Sequence, residues 1–113
     1  MATGKIDNSR KIENINNIST VSGCTVNANR SNNVVEVYII FTPTTTGLNQ
    51  IASGLPECAL QNGIIGIPVF ASGTSAATYG WFRINDNGTI SCDITNSAAL
   101  NNPMHCSIVY LTK

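Results

Sequence analysis

After residue 20 no stretch of ten residues carries a helical apolar period, and the apolar residues alternate instead. Residues 33–42 set the pattern. Val35, Val37, Ile39 and Phe41 fall on one side of an extended chain; Val34, Glu36, Tyr38, Ile40 and Thr42 fall on the other. That second side is itself half apolar, which places this strand centrally in a sheet or at a subunit contact. Pro43 ends it, and Thr44-Thr45-Thr46-Gly47 reads as a loop. Further strands are expected over residues 20–27, 48–53, 64–72, 75–86, 89–95 and 103–112, with turn signals at Asn32-Asn33 and Gly54-Leu55-Pro56. Pro68 marks an edge or a bulge in its strand. Seven or eight short strands with regular turns predict an all-β domain, an antiparallel β-sandwich of jelly-roll-like form or a barrel.

One hairpin can be read to the residue. A two-residue turn at Asn87-Gly88 would set Phe82 opposite Asp93 and Ile84 opposite Ser91, mixing apolar with polar. A three-residue loop, Asp86-Asn87-Gly88, instead sets Ile84 opposite Ile90 and Phe82 opposite Cys92. Because a slip of one residue exchanges the faces of a strand, the apolar pattern selects the second register. Phe82, Ile84, Ile90, Cys92 and Ile94 then form a core face, with Gly88 in the left-handed conformation. The outward face carries Trp81 across from Asp93, and Arg83 across from Ser91.

The 113 residues suit one domain with a modest core. Residues 1–19 stand apart from the head expected over 20–113. They hold five of the twelve charges, Lys5, Asp7, Arg10, Lys11 and Glu13. They also hold isoleucines at 6, 12, 15 and 18, a spacing that suits a short helix face or a thin trimeric stalk, while the many asparagines favour a simple tail.

Charge and cysteine usage remove several classes of function. Only 11% of residues are charged and the net charge is zero, so there is no basic stripe for nucleic acid or for a membrane surface. Solubility falls to 15 Asn, 12 Thr, 10 Ser and 9 Gly. The apolar runs are too short for a bilayer-spanning helix. Cys24, Cys58, Cys92 and Cys106 permit two disulfides in three pairings; with no apolar leader stretch at the N-terminus, four reduced thiols are expected. These cysteines and His105 have the atoms of a zinc site but not its spacing, since adjacent His105 and Cys106 point to opposite faces of a strand; no metal and no cofactor is expected. His105 is the one histidine and has no acid nearby in sequence, and the acids after the N-terminal segment are Glu36, Glu57, Asp86 and Asp93. Neither a triad nor a carboxylate pair is legible, so the expectation is a binding or structural protein and not an enzyme.

The candidate ligand site is aromatic. Trp81 and Tyr79 share a strand parity with Arg83 and stand beside Asp93, so a flat ring lies next to a donor and an acceptor, which is what a sugar needs. The competing reading makes Trp81 an anchor at a subunit interface.

The runs VVEVYIIFTPTTTGLNQIASGLPECALQ, IPVFAS, WFRINDNGTISCDI and MHCSIVYLTK together give residues 33–113 a resemblance. They resemble the C-terminal head of tail-fibre or baseplate receptor-binding proteins from phages and prophages of Gram-positive bacteria. Ile51-Ala-Ser-Gly-Leu-Pro56, the hairpin from Ile84 to Ile90 and the final strand carry it. The resemblance implies a sandwich head at a virion tail or fibre tip, assembled in the host cytoplasm, trimeric, and attached to other tail proteins. It implies binding to a host cell-surface saccharide, teichoic acid or protein. A virion decoration or trimerisation protein and a bacterial carbohydrate-binding module remain as alternatives.

Overall fold

The computed structural model describes residues 11–113. Lys5, Ile6, Asp7 and Arg10, named above, lie outside the described residues. The chain forms two five-stranded antiparallel sheets packed face to face. Sheet one has the order β1 (Ile12–Asn14), β3 (Cys24–Ser31), β4 (Val34–Phe41), β10 (Met104–Leu111), β7 (Val69–Phe70). Sheet two has the order β2 (Ser19–Thr20), β5 (Gly47–Ser53), β9 (Ile90–Ile94), β8 (Gly80–Ile84), β6 (Ile64–Gly66). The expected all-β sandwich is therefore the observed one. β4 pairs with β10 in one sheet while β5, its successor, pairs with β9 in the other, so the chain crosses between the sheets after β4.

The alternation in β4 explains its central place. Val35, Val37, Ile39 and Phe41 are buried between the sheets, against Met104, Cys106, Ile108 and Tyr110 of β10 on one flank and Ala28 of β3 on the other. Phe82, Ile84, Ile90, Cys92 and Ile94 supply the facing layer and are all nearly inaccessible. Phe41 and Phe82 meet across the layers edge to face, centroids 6.5 Å apart at 72°. The predicted hairpin register holds throughout: Ile84 faces Ile90, Phe82 faces Cys92, Arg83 faces Ser91 and Trp81 faces Asp93. The loop is Asp86-Asn87-Gly88, closed by Asn85 N–H donating to Thr89 O at 2.8 Å, with Gly88 at φ 83°.

Four segments differ from expectation. The strand expected over residues 20–27 is displaced: Thr20 ends β2, the chain turns at Gly23 with φ 80°, and β3 runs Cys24–Ser31. Residues 64–72 are not one strand but β6 in sheet two and β7 in sheet one, with the chain crossing between sheets at Gly66-Ile67-Pro68. Pro68 cannot donate to a ladder, and a Cβ on Gly66 would lie 2.5–2.6 Å from Ile108 and Cys106 side chains, so the turn occurs where β10 fills the space. Residues 75–79 do not extend β8: Ser75 bridges to Val69 of β7 and residues 77–79 turn. Finally, residues 12–19 of the expected tail join the sandwich: β1 edges sheet one, β2, completed by Thr20, edges sheet two, and Ile15 and Ile18 between them pack on the core. Gly54, at φ 96°, leaves room for Asn17 O, which a Cβ there would approach to 2.2 Å. The three-residue isoleucine spacing, as far as it is described, belongs to an extended strap and not to a helix.

Candidate functional site

The outer face of sheet two is built by the same alternation that builds the core. With Phe82, Ile84, Cys92 and Ile94 turned inward, Trp81, Arg83, Ser91 and Asp93 turn outward and are half-buried. β5 adds Leu48 beside Asp93 and Gln50 beside Ser91; β6 adds Ile65 beside Arg83. β5 then carries a bulge between Gln50 and Ala52, which lets Ile51 and Ala52 both be buried and ends the outward row. Asn85 completes the patch, its amide donating to Ser91 Oγ and Thr89 Oγ1, each at 2.9 Å.

Three of the four predicted ligand residues stand together here. The Arg83 guanidinium lies over the Trp81 ring, 5.2 Å from its centroid. Among the described residues the ion pairs are Lys11 with Glu13 and Lys113 with Glu57, so Arg83 has no carboxylate partner. Arg83 Nε is buried and makes no hydrogen bond. A cation placed over an aromatic ring, with Asp93 one strand away, can fix one polar group of a ligand through the guanidinium and another through the carboxylate.

The fourth residue, Tyr79, has other neighbours. Its ring packs against Phe70, centroids 5.4 Å apart at 44°, at the end of the sandwich where β7 stands. Shared parity with Trp81 predicts a common patch, but Phe70 arrives from the other sheet, a neighbour that no spacing along the chain announces. Leu48, Ile65 and Asn85 were not singled out from the sequence either. Ile65 shares its parity with the exposed Ile67, and that alternation is the signal that marks it as outward.

His105 is on the outer face of sheet one. In the tautomer with the proton on Nε2, the Tyr38 hydroxyl donates to its Nδ1 at 2.6 Å, and the rings meet nearly edge to face. Glu36 is on this face and Asp93 on the opposite outer face, so the two are not a carboxylate pair. The four cysteines are free and buried. Burial pushes the Cys24 and Cys106 thiols up to about 11 and that of Cys92 to about 12. Such thiols pack as small apolar groups and are not nucleophiles. No group of three or more His, Cys, Asp or Glu is placed to hold a metal ion among the described residues.

No protein-family model matches the chain, and no curated protein is significantly similar to it.

Proposed function

We propose that this chain is the head of a phage tail-fibre or baseplate protein that attaches to a host cell-surface saccharide, teichoic acid included. The observation that carries the proposal is the Trp81–Arg83–Asp93 patch: an aromatic ring, a cation with no ion-pair partner among the described residues and a carboxylate on one sheet face, in a chain where only 11% of residues are charged. Rigid positioning lowers the ordering cost of a weak polar ligand. The resemblance of residues 33–113 to such heads supports the same reading. The test is binding to cell walls from a panel of Gram-positive bacteria, with and without extraction of teichoic acid. Wild type binds saturably. Trp81→Ala loses most of that binding and keeps its oligomeric state and melting temperature. If Trp81→Ala instead dissociates or unfolds the protein, Trp81 is structural and the patch is not a ligand platform.

A purely structural role in the virion is the second reading, and one surface favours it. The outer face of sheet one presents Val34, Tyr38, Ile40, Val109 and Leu111, with the last two more than half exposed. We assign this face to contacts between copies in a homotrimer or with other tail proteins. Ile15 and Ile18 are used inside their own subunit, so Ile12, 67% exposed at the edge of the same face, is the one described isoleucine of the N-terminal segment available to a neighbour.

A further inference from the structure

The end of the sandwich beside β7 carries a cleft of about 290 Å³. Phe70, Ser72, Tyr79, Ala98, Asn102 and Pro103 line it, and they come from three separate stretches of chain. Each stretch is pinned. Gly73 N–H donates to Phe70 O and Phe70 N–H to Thr74 O, both at 2.8 Å, which closes the loop after β7. Ala71 N–H donates to Pro103 O at 3.1 Å, tying that loop to the one before β10. The 3-10 turn Ser97–Ala99 is capped by Asn96, whose Oδ1 accepts from Ala98 N–H at 2.9 Å. Asn102 Nδ2 donates back to Ala98 O at 3.1 Å and Leu100 O at 3.3 Å, so the amide is held with its oxygen as the remaining acceptor. The walls are thus formed before any ligand arrives.

We propose that this cleft seats one uncharged sugar ring, as a site separate from the Trp81 face. The proposal rests on the host-attachment reading for its biological source of sugar, but its chemistry stands on the lining. No lining residue is charged, so an ionic ligand would shed water with no countercharge to meet it. A purely apolar ligand would cover the Tyr79 hydroxyl and the Asn102 amide oxygen without satisfying them, and would leave Ser72 Oγ with only its 3.3 Å donation to Thr74 Oγ1. A pyranose meets both demands: its C–H face lies on the Tyr79 and Phe70 rings, and its hydroxyls reach those three polar groups. The volume is at the lower end of small-molecule sites, roughly 300–1,000 Å³, which fits a single ring and not a long oligosaccharide.

Amide chemical shifts recorded during titration with N-acetylglucosamine and with methyl glucoside, in the millimolar range, test this. Saturable shifts are expected at Phe70, Ser72, Tyr79, Ala98 and Asn102, whether or not the Trp81 indole also moves. Ser72→Trp, at an exposed position, fills the cleft and abolishes them. Tyr79→Phe keeps the packing on Phe70 and weakens binding roughly five-fold through the lost hydroxyl. Absence of saturable shifts with either sugar, shifts at Trp81 alone, or unchanged binding by both variants would overturn the proposal. The host-attachment reading fails separately: a chain that takes sugar in the cleft but binds no cell wall contradicts attachment and leaves the cleft standing.

Discussion

Gly88 shows how much one residue can carry. It turns the 86–88 loop with φ 83°, and a Cβ there would sit 2.1 Å from Leu55 O, while Gly88 O accepts from Leu55 N–H at 3.1 Å. Gly88→Ala therefore meets both a disfavoured backbone region and a backbone collision, and is expected to cost about 2 kcal/mol or more. A melting temperature within about 2 °C of wild type would contradict this. The buried thiols make a pH prediction. Their ordinary value is 9.0, and in the folded chain Cys24 and Cys106 stand at about 11 and Cys92 at about 12. Below pH 9 both states keep the protons and the stability is fully present. Above it the unfolded chain ionises first, so stability falls as pH rises from 9 through 11. Desolvation also raises the Tyr110 phenol, whose hydroxyl donates to Pro56 O at 2.8 Å, and its loss has the same sign. Thermal unfolding across that range checks the slope, and a flat profile would be the wrong result. Gly88 was legible in the sequence because one register alone collected the apolar residues. Tyr79 was not, because the ring it packs against lies on a strand of the opposite sheet.

Strands were legible where apolar residues alternate without a break, whereas β3, with Asn27, Asn29 and Arg30 in it, was expected four residues too early. β4, β9 and β10 appear within a residue or two of expectation, and the β8–β9 register follows from which residues can share a buried face. The other failures share a cause. β6, β7, β1 and β2 are two or three residues each, too short to show a period, and they are held by neighbours distant in sequence. Pro68 signalled an interruption but not that the chain would change sheets there. The bulge at Ile51 was hidden because both Ile51 and Ala52 are apolar and either could have been the inward residue. The central layer gives an element-scale prediction. Phe82 is fully buried and bridges β8 to β4 through Phe41, so Phe82→Ala should cost about 3–5 kcal/mol in urea unfolding. A loss under about 1 kcal/mol would mean that the sheets do not meet there.

At the scale of the whole molecule, the two outer faces divide the work proposed for them. Sheet one turns Val34, Tyr38, Ile40, Val109 and Leu111 outward with Glu36 as the one acid among them. If three copies bury that face, sedimentation at micromolar concentration gives a particle three times the 12.0 kDa chain, and Val109→Asp splits it without unfolding the subunits. A stable wild-type monomer would remove the trimer. Sheet two turns the Trp81–Arg83–Asp93 patch outward, and this separation of faces leaves ligand and neighbour free to bind together. The fold class was readable from composition and period, whereas the division of faces required the register of every strand. The claim at the centre is attachment to a host surface, and the most direct measurement is co-sedimentation of labelled protein with Gram-positive cell walls, wild type against Trp81→Ala. The account predicts saturable binding by wild type and at least a ten-fold loss in the variant, with assembly and melting temperature unchanged. No binding to any wall, or a variant that binds as well as wild type, would contradict it.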